Sequence, residues 1–155
     1  MSQIELETRP ELLARAMSRR RLLGNTMSHL ERVVAGHASA EGWLDRVEAG
    51  LADLREALDA HIDEVEGHDG LLADIVDVAP RLSPYTEELR REHIALLGAW
   101  LRAEAAVRAA RQDWPAAVST VRRRVITLIG RLTLHRQAGS DLVFEAYNVD
   151  IAASD

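Results

Sequence analysis

The feature that most constrains the fold is a regular apolar stripe within residues 39–67. Its members are Leu44, Val47, Leu51, Leu54, Leu58, His61 and Val65. The steps between them alternate between three and four residues, which keeps their side chains on one face of an α-helix. This spacing is typical of a helix that packs along the seam of a helical bundle. The segment therefore predicts a long amphipathic helix with helical neighbours.

Three further segments show the same helical spacing and predict helices over residues 10–35, 83–111 and 113–147. Proline and cap residues support the starts of the last two, at Ser83-Pro84 and at Asp113-Trp114-Pro115. The apolar stripe of residues 10–35 consists of Leu13, Ala16, Leu23, Met27, Leu30 and Val34. That of residues 83–111 consists of Leu89, His93, Leu96 and Trp100, and that of residues 113–147 of Val118, Val121, Val125, Leu128, Leu132, His135, Gly139 and Leu142. The chain thus contains four long helices.

Two shorter features modify this pattern. An apolar stretch over residues 71–78, closed by Pro80, predicts a two-turn helix between helices two and three. Gly139 and Ser140 predict a loosening or a kink within helix four.

These elements predict an all-α fold, an antiparallel up-down-up-down four-helix bundle with a short extra helix between helices two and three. Short connections between long helices favour antiparallel neighbours. Hydrophobic residues make up 47% of the chain and aromatic residues only 4%, so the core is expected to be aliphatic. At 155 residues, the chain is expected to form a single domain, residues 1–155.

Charge and composition narrow the function classes. The net charge of −6 and the interspersed acidic residues argue against a nucleic-acid partner, which requires a basic face. The absence of cysteine excludes disulfides, thiolate ligands and a thiol nucleophile. Residues 1–10 lack an apolar signal core, and no apolar run approaches membrane length, so we expect a cytoplasmic protein without a membrane partner. A protein partner or a homo-oligomer stays open.

Three histidines carry the strongest functional signal. His61, His93 and His135 each replace an aliphatic residue on the core stripe of a different helix. The antiparallel arrangement brings them to a similar height, since His93 and His135 lie at comparable distances from the turn that joins their helices. Imidazole binds iron, zinc, copper and nickel, and helical bundles build metal sites from facing side chains. We therefore predict a metal site inside the bundle.

Carboxylates close to these histidines in sequence are candidates to complete the site. Glu64 follows His61 by three residues, with Glu66 further on, Glu92 directly precedes His93, and Asp141 follows His135 by six residues. Carboxylates together with imidazoles are typical of iron and manganese sites. An alternative is a metal-free core in which the histidines form a neutral hydrogen-bonded network.

At these residues the chain resembles the hemerythrin-like (HHE cation-binding) family, in particular its actinobacterial members. The resemblance lies in HIDEVEGHDGLL at residues 61–72, LRREHIALL at 89–97 and HRQAGSDLVFEAYNVD at 135–150. It extends more loosely over the whole bundle. The resemblance implies a non-haem di-iron site used for oxygen binding or sensing, or for reactions with peroxide or nitric oxide.

Residue by residue, His61, His93 and His135 match the family pattern, and several other positions depart from it. Val65 stands where the family has a bridging glutamate, which would leave that role to Glu64 or Glu66. Leu97 replaces a second histidine of helix three, and Asp141 comes one residue later than the family's aspartate. Residues 17–21 of helix one contain no histidine; Arg20 stands there and could pair with a glutamate.

Three outcomes follow from the resemblance and its departures. They are a di-iron site with altered ligands, a mononuclear site of three histidines plus a carboxylate, and a bundle that has lost its metal. The predicted ligands are His61, Glu64, His93, His135 and Asp141. The predicted function is a metal-binding protein, with iron as the expected metal and zinc or none as alternatives, that handles or senses dioxygen or reactive oxygen and nitrogen species. The alternative is a metal-free bundle with a structural, regulatory or protein-interaction role.

Overall fold

The structure, a computed structural model, describes residues 8–38 and 40–149, with only the backbone at residues 40, 41 and 149. Its helices are α1 (Arg9–Ala35), α2 (Ala40–Glu66), α3 (Leu71–Val78), α4 (Ser83–Ala110) and α5 (Val118–Phe144). A 3₁₀ turn (Pro80–Leu82) precedes α4, and a π-helical turn (Glu145–Val149) follows α5. The predicted start of the second helix at Ser39, and Asp150 of the third motif, lie outside the described residues.

The four long helices pack as an all-α bundle, which confirms the predicted fold class. Contacts at opposite ends of the helices establish the antiparallel order. Trp43, at the start of α2, donates a hydrogen bond to the carbonyl of Val33 at the end of α1 (3.0 Å). Arg122, early in α5, donates to the carbonyl of Val34 (3.1 Å). Arg111, just after α4, bonds Asp45 of early α2 (2.8 Å).

The apolar stripes become the core with few changes. Nearly all predicted positions of α1, α2 and α5 are buried, because each helix turns its stripe toward the bundle axis. In α1 the buried residue of the first turn is Leu12, while the predicted Leu13 is only half-buried. Leu13 packs against an apolar cluster that includes Leu71, Leu72 and Ile75 of α3.

Two local predictions about the last long helix were wrong. First, α5 begins at Val118, since residues 111–117 form turns in which Trp114 packs against Trp43 with ring centroids 6.1 Å apart. Second, α5 runs without interruption through Gly139 and Ser140 to Phe144. The α-helix continues on both sides of Gly139, and the backbone changes to a π-helical turn only at Glu145.

A polar layer divides the core into two hydrophobic clusters. The larger cluster contains Leu58, Leu96 and Leu132, and the smaller one contains Val65 and packs against α3. His61, His93 and His135 lie between the two clusters. His61 and His135 follow Leu58 and Leu132 by one turn, and His93 precedes Leu96 by one turn. The bundle thus places three imidazoles at one level, near the end that α3 covers.

Candidate metal centre

The histidine layer combines residues from three helices. His61 lies late in α2, His93 early in α4 and His135 late in α5. His93 and His135 are buried, with 2% and 4% of their surface exposed, and His61 is partly buried. Their ring centroids are 4.7 to 5.6 Å apart. The predicted convergence of the three imidazoles is therefore present.

The Nε2 atoms of the layer point toward a common centre. The His93 and His135 Nε2 atoms are 3.0 Å apart, and the His61 and His135 Nε2 atoms are 3.4 Å apart. One ligand atom from each histidine lies within 4.8 Å of the others. These three residues are the group of potential metal ligands found among the described residues.

Two glutamates fix the rings of the buried pair. The Nδ1–H of His93 donates to Glu66 Oε1 at 2.5 Å, and the Nδ1–H of His135 donates to Glu92 Oε2 at 2.6 Å. A proton held on Nδ1 leaves the Nε2 lone pair free, which is the tautomer that ligates metals. Carboxylate–histidine pairs of this kind orient metal-binding imidazoles and raise their basicity.

His61 lacks such a partner. Its Nδ1 is buried and makes no hydrogen bond within the described residues. Burial, and then the neighbouring cationic forms of His93 and His135, lower the pKa of His61 to about 3. Burial also lowers the pKa of His93, although the hydrogen bond to Glu66 opposes this effect. At neutral pH both rings are therefore neutral and can offer a lone pair.

Hydrogen bonds within the layer cannot satisfy all of these nitrogens. With both Nδ1 protons directed to glutamates, the His93 and His135 Nε2 lone pairs face one another at 3.0 Å. A proton from His61 can bond only the single lone pair of His135, and the Nδ1 of His61 stays without a partner. Buried polar atoms without partners are costly. A cation at the centre would remove the repulsion between the lone pairs.

The spacing of the nitrogens fits a transition-metal ion. Metal–nitrogen bonds of about 2.1 Å place two imidazole nitrogens about 3.0 Å apart at a right angle and about 3.4 Å apart at the tetrahedral angle. The two Nε2 separations in the histidine layer have these values. The three histidines could therefore bind a metal ion with a modest adjustment of His61.

The two carboxylates predicted as ligands lie elsewhere. Glu64 accepts a hydrogen bond from Arg15 of α1 (2.9 Å), and Asp141 is exposed and accepts one from Gln137 (2.8 Å). Neither belongs to the ligand group. The acidic residues that contact the histidines are Glu66 and Glu92, each bonded to a ring from another helix. Both glutamates could be found from the sequence because they lie close to His61 and His93. The histidine that each one bonds could not, because it belongs to a different helix.

Two arginines complete the surroundings of the layer. Arg20 of α1 and Arg136 of α5 line a cavity next to His61, and both lower the pKa of that histidine. The expected pairing of Arg20 with a glutamate does not occur within the described residues, where no ion pair involves Arg20. Burial lowers the pKa of Arg20, and Arg136 lowers it further. Arg20 therefore lies beside the histidine layer, in the segment of α1 (residues 17–21) that contains no histidine.

None of the described helices is long and apolar enough to cross a membrane. Comparisons of the chain with protein-family models, with curated proteins and with solved structures returned no match. The resemblance to hemerythrin-like proteins thus stays a prediction, and the case for a metal site depends on the geometry of the histidine layer.

Proposed function

We propose that the protein binds one divalent transition-metal ion through His61, His93 and His135 and presents it to a small molecule. The observation that carries this proposal is the pair of Nε2 atoms of His93 and His135, 3.0 Å apart, while their Nδ1 atoms are held by glutamates. Two rings oriented by carboxylates toward a shared point are the arrangement that metal sites use.

A mononuclear site is the form we propose. Three ligands gather at one point, and the ligand group of the described residues offers no second set for another ion. Catalytic metal sites commonly use three protein ligands and keep a further position for water or substrate. Here that position would face the cavity that borders all three histidines.

Iron is our proposed metal because of the resemblance to hemerythrin-like proteins, and dioxygen or a reactive oxygen or nitrogen species is the proposed small molecule. Iron would supply redox chemistry at the open position. The chain itself would orient two ligands through Glu66 and Glu92 and keep bulk water from His93 and His135 by burial. Zinc has the same preference for imidazole and is the alternative metal.

The experiment is to load EDTA-treated protein with Fe(II) under anaerobic conditions, or with Zn(II), and to measure metal content and thermal unfolding. An ion that binds only the folded state at one hundred times its Kd adds about 2.7 kcal/mol of stability. For a chain of this size, we expect the melting temperature to rise by about 5–10 °C. The His93→Gln and His135→Gln variants should lose this rise.

The matched control is His68→Gln, because His68 is exposed and, among the described residues, its one polar partner is Asp69. It should bind metal as the wild type does. Retention of less than a tenth of an equivalent of either metal by the wild type, with an unchanged melting temperature, would exclude the proposed function.

The second candidate is a metal-free bundle with a structural or regulatory role. The observation that favours it is the pair of cationic side chains, Arg20 and Arg136, beside His61. Positive charge at this point opposes a dication, although Glu66 and Glu92 offset it. This candidate predicts that leucine at positions 61, 93 and 135 together preserves or raises stability, and that metals leave the melting temperature unchanged.

A further inference from the structure

A cavity of about 590 Å³ opens directly beside the histidine layer. It lies between α1, the ends of α2 and α5, the start of α4, and α3. Its volume is within the range of small-molecule binding sites. Met17 and Phe144 line it with 62% and 63% of their surfaces exposed, so its entrance is apolar and accessible.

The cavity has an identifiable origin in the sequence. Gly139 stands on the core stripe of α5, between His135 and Leu142, where the other layers have an aliphatic side chain. A Cβ atom built at Gly139 has no neighbour within 4 Å. On the opposite helix, the small side chain of Ala16 lines the same space. The missing side chain at position 139 therefore contributes to the open space of the cavity.

The walls of the cavity are mostly apolar. Aliphatic side chains from α1, α2, α3 and α4, among them Leu13, Val65, Leu72 and Leu89, make up most of the surface. Among the described residues that line the cavity there is no aspartate or glutamate, and the only arginines are Arg20 and Arg136. An occupant would meet hydrocarbon on most sides and positive charge at one end.

The two arginines of the positive end form no ion pair with the described residues. The Nε of Arg136 is buried and has no hydrogen-bond partner, and no acidic residue of the described chain pairs with Arg20 or Arg136. The guanidinium of Arg136 lies against Gly24 of α1, where a Cβ would come within 2.7 Å of Nη2. Glycine at position 24 thus allows Arg136 to reach across to α1. Buried donors and unpaired positive charges are costly unless an anion meets them.

We propose that this cavity binds a linear aliphatic monocarboxylate, with the carboxylate between Arg20 and Arg136 and the hydrocarbon chain along the apolar walls. A planar guanidinium binds a carboxylate through charge-assisted hydrogen bonds, which are stronger than neutral ones. One anionic group matches the single cationic end, and a hydrocarbon chain matches the aliphatic side chains that form most of the walls. The site goes beyond the proposed metal function and does not require the metal.

The test uses decanoate as the probe, with 1-decanol as the neutral analogue, in isothermal titration calorimetry on the EDTA-treated full chain. Decanoate should bind at least ten times more tightly than decanol, because only the anion bonds the arginines. Arg136→Gln and Arg20→Gln should each weaken decanoate binding about tenfold or more and leave decanol binding unchanged. Gly139→Leu, which places a side chain in the cavity, should weaken both.

The matched control is Arg131→Gln, since Arg131 is an exposed arginine of the same helix that does not line the cavity. Its affinity for decanoate should equal that of the wild type. Circular dichroism and thermal unfolding of each variant show whether it has folded. Absence of decanoate binding up to 1 mM, equal affinities for decanoate and decanol, or unchanged affinity in both arginine variants would overturn the proposal. Because the protein is metal-free in this assay, the result tests the carboxylate site whether or not the protein binds a metal.

Discussion

Replacing Gly139 by leucine should stabilise the protein more than the same replacement at Gly130. Both glycines lie in the interior of α5, and a Cβ at either position has no neighbour within 4 Å. Glycine is the least favourable residue in a helix interior apart from proline, so either replacement should gain about 0.5–1 kcal/mol. The two variants differ in their surroundings, because Gly130 is exposed and Gly139 lines the cavity.

The difference between the two variants measures burial in the cavity. Full burial of a leucine side chain contributes about 1.5–3 kcal/mol, and the lower value applies here because the cavity is open past Met17 and Phe144. We therefore expect Gly139→Leu to raise the free energy of unfolding by about 2–2.5 kcal/mol in total. At about 2–4 °C per kcal/mol, the melting temperature should rise by about 4–10 °C, against about 1–4 °C for Gly130→Leu.

The assay is urea unfolding of both variants and the wild type, followed by far-ultraviolet circular dichroism, with thermal unfolding as a second measure. Metal chelator and fatty-acid-free buffer exclude effects of a bound ligand. If Gly139→Leu is no more stable than Gly130→Leu, the side chain at position 139 does not enter an unfilled apolar space. That result would refute the account of how the cavity arises.

Three other predictions concern the polar groups around the site. The free energy of unfolding of the metal-free protein should fall by about 2 kcal/mol between pH 7 and pH 5. In the folded state the pKa of His61 is lowered to about 3, so this ring stays neutral over that range. In the unfolded chain it takes up a proton below about pH 6.5, which favours unfolding. His61→Leu should remove this part of the pH dependence in urea unfolding; an unchanged slope would contradict the assignment. Glu66→Gln and Glu92→Gln should each lower metal affinity about 10- to 100-fold in competition with a chelator, since the amide no longer supplies the charge that orients the imidazole. Asp74→Asn should lower the free energy of unfolding in urea by about 1–2 kcal/mol. The carboxylate of Asp74, on α3, accepts hydrogen bonds from Tyr147 (2.5 Å) and from Arg9 of α1. A change below about 0.3 kcal/mol would show that this link does not stabilise the bundle.

The sequence by itself determined which segments form the long helices, their antiparallel order and the height of the three histidines. Spacings of three and four residues decide which face of each helix is apolar, and a histidine on that face must lie in the core wherever the helix packs. His61, His93 and His135 therefore converge for the same reason that Leu58, Leu96 and Leu132 pack together. Short-range signals predicted α3 to the residue.

Only the tertiary structure decided which charged groups surround the histidines. At 3.6 residues per turn, Glu64 lies about 60° to one side of His61 and Glu66 about 140° to the other. Because α2 packs between α1 and α4, the first glutamate meets Arg15 of α1 and the second meets His93 of α4. Periodicity gives the angle between side chains on one helix. The rotation of a helix about its own axis depends on how all four helices pack. The packing therefore also decides which residues contact the side chains beside the core stripe.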